Sequence, residues 1–345
     1  MVKRILFASL AIAPIAIALH YLADLPETAE FVLSALALIP LAWLIGEATE
    51  HAAEHTGPGI GGFLNATFGN APELIIALIA VNEGLTEVVR GSLAGSVVSN
   101  LLLVLGAALV AGGRGPLDRL SSFLSFGLIA FATALFLVPS IPGWHGEPDT
   151  HGLAVASTAI SVALLIAYVA VTWYSLRRHR ALHVASDEEI EAWSLREALI
   201  ALAIATVATA LVAEILVGSL EVFAEKAGLS EFFVAAVIVA IVGNAAEHGG
   251  AVVVAFRGKI TLAGEIALSS AAQVAVFLIP AVALLSWLIE PLSLSFRPVE
   301  IAALAGSVGF TAIVLFGGHS SRARGALLLT GYAAVVIAFL LAGDR

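Results

Sequence analysis

The chain has 345 residues, 60% of them hydrophobic and only 12% charged, with a formal net charge of −10 and a mean hydropathy of +1.02. A soluble domain of this size carries about twice that charged fraction, so the composition excludes one and leaves an all-α, polytopic membrane protein. There is no cysteine, which excludes disulfides, thiolate-ligated haem and iron–sulfur clusters. The acidic balance is mild, sits largely in loops and points to no nucleic acid.

Apolar stretches of about 20 residues place about eleven spans at 5–23, 30–52, 60–83, 87–111, 121–140, 153–176, 197–224, 231–256, 261–289, 299–317 and 323–342. The first follows Val2-Lys3-Arg4, which also resembles the start of a signal peptide, but the run is long enough to cross a bilayer. Turn chemistry separates spans at Gly57-Pro58-Gly59, at Gly112-Gly113-Arg114-Gly115-Pro116 and at Pro142-Gly143-Trp144. The longest polar segment runs from Arg177 to Glu197, with a basic start (Arg177-Arg178-His179-Arg180) and an acidic stretch (Asp187, Glu188, Glu189, Glu191). Within it, Ser186 and Glu189 have capping-box spacing for a short surface helix.

With the N-terminus in the cytoplasm and the spans alternating, Lys3, Arg4, Arg114, Arg119, Arg177, Arg178, Arg180, Arg196, Arg257, Lys259, Arg322 and Arg324 fall inside. Arg90, Lys226, Arg297 and Arg345 fall outside. This positive-inside bias predicts an odd number of spans in a cytoplasmic membrane.

One motif occurs twice: Gly69-Asn70-Ala71-Pro72-Glu73 and Gly243-Asn244-Ala245-Ala246-Glu247. The same separation, 174 positions from Glu73 to Glu247, aligns Glu47 with Glu221, Ser96 with Ser270 and Ser99 with Gln273. The organisation expected is an N-terminal helix (1–26), a five-helix repeat (27–176), a cytoplasmic connector (177–196) and a second five-helix repeat (197–345). Five spans per repeat invert the second copy relative to the first, the arrangement of alternating-access transporters with a midplane site.

An ionisable residue within a membrane span is a functional candidate by default. Asn70 and Glu73 share a helix face, as do Asn244 and Glu247. Gly69 and Pro72 weaken the first helix there and free backbone carbonyls, with Phe68, Gly69 and Gly243 as candidates. Ser96, Ser99, Asn100, Ser270 and Gln273 add hydroxyl and amide ligands. The plainer alternative for the serines, with Gly91 and Gly95, is helix packing. A donor set of oxygens alone suits a hard divalent cation such as Ca2+. Two ionised carboxylates in a low dielectric repel, and burial disfavours their charged form, so an empty site takes up protons that a divalent cation displaces. Glu73 and Glu247 are thereby both metal ligands and proton carriers.

Gly-Asn-x-x-Glu in both halves, Ser-Asn-Leu-Leu-Leu-Val-Leu-Gly at 99–106 and Val-Gly-Asn-Ala-Ala-Glu-His at 242–248 resemble the CAX-type Ca2+/H+ antiporters of the cation/Ca2+ exchanger superfamily. The resemblance covers nearly the whole chain. It implies exchange of cytosolic Ca2+ for protons, with Ca2+ as transported substrate and no resident cofactor. It places Glu73, Glu247, Asn70, Asn244, Ser99, Asn100 and Gln273 at the site. The expected partners are Ca2+, protons and the lipid bilayer, and a homo-oligomer is allowed. A Na+/Ca2+ exchanger is the alternative within transport.

Glu47, Glu50, His51 and Glu54 end the second span on its cytoplasmic side. They read as a recruiting or pH-sensing mouth or as a solvated helix end. His51-Ala52-Ala53-Glu54-His55 also matches the H-x-x-E-H pattern of a zinc protease, a remote alternative that leaves the repeat unexplained. His248 points about 100° away from Glu247 on a helix and is not counted as a ligand.

Overall fold

Apolar side chains all round a helix suit lipid on one face and protein on the other, and the described residues fold almost entirely as helices. The computed structural model describes residues 2–179 and 193–344. In order, the helices are α1 (Val2–Ser9), α2 (Ile12–Leu22), α3 (Glu27–Phe68), α4 (Ala71–Asn82), α5 (Thr86–Val98), α6 (Leu105–Gly112), α7 (Arg119–Gly143) and α8 (His151–His179). The second half holds α9 (Leu195–Gly218), α10 (Leu220–Ala227), α11 (Glu231–Phe233), α12 (Ala240–Gly243), α13 (Ala245–Phe256), α14 (Ile260–Gln273), α15 (Ile279–Leu285), α16 (Pro298–Val314) and α17 (Arg322–Ala342). Wide π-helical turns join α5 to α6 (Ser99–Val104), α11 to α12 (Val234–Val239) and α14 to α15 (Val274–Leu278).

Among the described residues, eight helices are long and apolar enough to cross a membrane, or nine counting the pair Leu220–Ala227 and Glu231–Gly243, bent by 110°. The expected spans at 60–83 and 231–256 are each broken at their asparagine, and 299–317 appears as the 17-residue helix α16, so the count of eleven is not reproduced by unbroken helices. The ends carry the expected stops and starts. Asp118 accepts the N–H groups of Leu120 and Ser121 at the start of α7. Ser194 and Glu197 form a reciprocal capping box on α9. The capping box expected at Ser186 and Glu189 lies outside the described residues.

The turn expected at Gly57-Pro58-Gly59 falls inside the helical run of α3, but α3 is not straight. Phe68 packs on a small core formed by Ile45, Ala48, Ala71, Leu202 and Ala205. A straight helix would hold residue 68 about 35 Å from residue 45, so the run bends between them.

The repeat is a repeat of backbone as well as of sequence. α4 begins at Ala71 and ends at Asn82; α13 begins at Ala245 and ends at Phe256, the same 174-position shift. Asn70 (φ −98°, ψ 14°) and Asn244 (φ −89°, ψ 9°) break the chain in one conformation. Their carbonyls accept from Leu74 and His248 at 3.0 and 2.9 Å. The turns that follow place Gly84 (φ 74°) and Gly258 (φ 78°) in the left-handed region that glycine adopts freely. The wide turns Ser99–Val104 and Val274–Leu278 also overlap under that shift.

The two copies point in opposite directions. Thr86, opening α5, donates to Asp149 in the loop after α7, whereas Thr261, in the first turn of α14, donates to the carbonyl of Pro116 before α7. The 25 residues of α7 put about 37 Å between those loops. The Pro116 end is closed by a two-residue antiparallel pairing, Gly115 with Ser320 and Pro116 with His319. The Asp149 end gathers the loops after α4, α7, α10 and α15.

Candidate functional site

The two broken segments meet where α5 crosses the wide turn Val234–Val239. Gly95 permits this: a Cβ there would overlap the Ala236 carbonyl, and one on Gly91 would lie 3.0 Å from the Phe232 ring. For these two glycines the packing reading holds. Their neighbours do something else.

Asn244 of the second repeat is held by the first. Its Nδ2 donates to Ser96 Oγ at 2.8 Å and to the Ala240 carbonyl at 2.8 Å, and its Oδ1 accepts from Asn100 Nδ2 at 3.3 Å. Asn70 of the first repeat is reached by the second, donating to Gln273 Oε1 at 3.5 Å. Each asparagine at a break therefore meets an amide on the third segment of the opposite repeat. Asn70, Ser96, Ser99, Asn100, Asn244 and Ser270 are all buried, while Gln273 is half-buried. The Ser99 hydroxyl donates to the Ser96 carbonyl, which keeps it on its own helix.

The carboxylates sit one turn beyond each break. Glu73 is buried and lies over the backbone of Gly243, where a Cβ would come within 3.1 Å of Glu73 Cγ. Its Oε2 is buried with no hydrogen-bond partner among the described residues, as is Asn100 Oδ1. Glu247 is half-buried and accepts a hydrogen bond from Ser270. The two carboxylates are close enough for their charges to repel. A buried unpartnered carboxylate oxygen and a buried amide oxygen are costly unless something binds them, and oxygens of this kind attract a hard cation or a proton.

All nine side chains expected at the site lie on the segments that meet here. Pro72 has a different role from the one expected. It occupies the first turn of α4, where a backbone N–H has no helical partner to lose, and the second repeat breaks identically without it. The asparagine, not the proline, marks the break. Phe68 and Gly243 are the last residues of α3 and α12, and with Gly69 they flank the breaks.

The expected mouth is only partly gathered. His51 is buried, with Nε2 3.6 Å from Glu47 and Nδ1 3.6 Å from Glu54, and it stacks on Trp193 at 4.9 Å. Glu50 is exposed. His55 turns away to the Trp193 carbonyl at 2.8 Å. Among the described residues no three His, Cys, Asp or Glu side chains converge as a metal site.

Sequence reasoning missed the polar cluster at the Asp149 end. Arg90 is 1% exposed and grips Asp149 through two hydrogen bonds of 2.7 and 3.1 Å. It also donates to Thr86 and to the Ser293 carbonyl. Arg90 stands inside the apolar run 87–111, and a charge so placed was the available signal.

Two inverted helical repeats whose broken segments bring paired acids and amides together define the inverted-repeat class of secondary transporters. The sodium/calcium exchanger protein family model matches residues 27–177 and 197–341, and the chain belongs to that family. It is 38% identical to the vacuolar cation/proton exchanger 1a of Oryza sativa subsp. japonica, over 90% of this chain and 74% of that protein. It is 36% identical to the Ca(2+)/H(+) antiporter of Synechocystis sp., over 98% of this chain and 97% of that one. The solved structure of native YfkE superposes with a TM-score of 0.82 at 33% identity, covering 99% of this chain and all of the other.

Proposed function

We propose that this protein is a Ca2+/H+ antiporter that moves Ca2+ out of the cytoplasm as protons enter, by alternating access to one site shared between the repeats. The observation that carries the reading is the cross-repeat arrangement: Glu73 over Gly243, Asn70 on Gln273, and Asn244 held by Ser96 and Asn100, with Glu247 bonded to Ser270 beside them. Similarity to proteins named Ca2+/H+ antiporter and cation/proton exchanger supports it.

The two carboxylates are each ligand and proton carrier. Ionised together and empty they repel, so the pair is neutralised by one divalent cation or by protons. Oxygen donors of acid, amide and hydroxyl type suit Ca2+, which tolerates about 6–8 oxygens in flexible geometry. Because the asparagines bind across the repeat interface, sliding one repeat against the other changes which donors face the ion. Loop charge assigns the Pro116 end to the cytoplasm and the N-terminus with it, in a cytoplasmic membrane. On that assignment the repeats are 27–176 and 197–345, joined by the connector 177–196.

The test is Ca2+ flux in vesicles carrying the full chain, driven by a pH gradient or by a sodium gradient. Flux that follows pH and ignores sodium is expected. Flux that follows sodium and ignores pH would overturn the proton reading in favour of Na+/Ca2+ exchange.

A further inference from the structure

At the outer end, away from the paired site, lies a second buried acid that the exchange chemistry does not use. Glu300 is the third residue of α16 and is 0% exposed. Its Oε2 accepts the Arg297 backbone N–H at 2.6 Å, closing the helix start. Its Oε1 is buried and has no hydrogen-bond partner among the described residues.

The charges around it do not balance. Arg90 and Glu87 on α5 and Arg297 before α16 act on Glu300. Arg90 is committed to Asp149 on the loop after α7. Arg297 lies 3.9 Å from Glu87, donates to the carbonyls of Ala342 and Gly343, and sits over the Phe232 ring at 4.6 Å. Asp344 is spent on the Phe232 N–H. Two guanidinium groups thus serve three carboxylates: Glu87, Asp149 and Glu300.

Exposure decides which acid is left over. The side chains of Asp149 and Glu87 are 33% and 26% exposed and keep water. Burial works against the Asp149 charge, yet hydrogen bonds from Arg90, Thr86 and Ser293 hold its carboxyl below the usual range. Glu300 has no water and one unmatched oxygen, so its charge is the most expensive of the three. The neutral acid strands less charge there.

We propose that Glu300 is a proton-binding site of the outer face, holding a proton while the outer loops are packed together and releasing it when they part. The loops after α7 and α15 meet beside it, where Ser293 donates to Asp149 and Arg90 binds both. Parting them admits water, and an ionised Glu300 then pairs with the freed guanidinium groups. By linkage, a proton taken up here favours closure of the outer face. Acid outside therefore helps to shut the face through which protons have entered. This rests on the Ca2+/H+ reading of the protein.

The experiment is Ca2+ flux by the full chain in everted vesicles with the luminal pH varied, for wild type, Glu300→Gln, Glu300→Asp and Glu87→Gln. Glu300→Gln is expected to flatten the dependence on luminal pH while leaving half-saturation by Ca2+ on the cytoplasmic face unchanged. Glu300→Asp is expected to restore the dependence, which a merely structural role would not require. Glu87→Gln removes a neighbouring negative charge from a partly exposed position, and should move the luminal midpoint to lower pH even if Glu300→Gln fails to fold. Profiles of Glu300→Gln or Glu87→Gln that superimpose on wild type would overturn the proposal. Absence of pH-driven flux in wild type would instead overturn the antiporter reading and this inference with it.

Discussion

The two repeats share a backbone at the site and differ in what holds each acid. Asn70 and Asn244 break their helices at nearly the same angles, and α4 and α13 match residue for residue. Yet Glu73 is buried with one oxygen unpartnered, whereas Glu247 is half-buried and bonded to Ser270. Asn244 is gripped by Ser96 and Asn100 at 2.8 and 3.3 Å, while Asn70 meets Gln273 at 3.5 Å. Local sequence sets the break, and the opposite repeat sets the partners of the asparagines. The two acids are thus inequivalent within a pseudo-symmetric frame.

The largest effect should come from either acid. Glu73→Gln and Glu247→Gln are each expected to abolish Ca2+ exchange in vesicles while the protein still purifies folded. If the halves were redundant, one variant would retain pH-driven flux, and robust flux in either would break the two-carboxylate site.

Next in size is the contact between the halves. Gly243→Ala places a methyl group about 3.1 Å from Glu73 Cγ and should cut transport at least tenfold. The cost in folding is expected to be about 1–3 kcal/mol, typical of mild overpacking. Gly249→Ala, six positions on, meets nothing within 4 Å and should leave flux unchanged. Equal behaviour of the two variants in flux and thermal melting would mean that Glu73 does not rest on Gly243 in the working protein.

Much of this was legible in the sequence, because lipid makes polar residues conspicuous. Glu73 and Glu247 stood out as expensive acids, and the 174-position shift led to Ser96, Ser99, Ser270 and Gln273. What was not legible is tertiary. Nothing in one strand of sequence says that Asn100 reaches Asn244 rather than Asn70. The helical run of α3 extends from Glu27 to Phe68, so Gly57-Pro58-Gly59 did not end the helix as its turn chemistry suggests. Glu300 opens an apolar helix with the spacing of an ordinary cap, and only the three-dimensional neighbourhood shows that it is sealed from water.

The grip on Asn244 should be measurable and modest. Hydrogen bonds between membrane helices average about 0.6 kcal/mol, so the Asn100→Ala and Asn244→Ala double-mutant cycle should show coupling of about that size in unfolding experiments. Transport should fall in both single variants. A coupling near zero would mean that the bond at 3.3 Å positions the amides without stabilising the interface.

The smallest effect concerns the most visible difference between the motifs, Pro72 against Ala246. Proline in a helix interior costs about 3 kcal/mol by removing a hydrogen bond and crowding the preceding turn. In the first turn it removes nothing, because the N–H groups there have no helical acceptor. Pro72 stands in the first turn of α4, and the second repeat makes the same break with alanine. Pro72→Ala is therefore expected to change stability by less than about 1 kcal/mol and to leave Ca2+ flux within about twofold of wild type, with Ala246→Pro tolerated likewise. Loss of exchange in Pro72→Ala would show that the first break depends on its proline after all, and that the two repeats reach the same angles by different means.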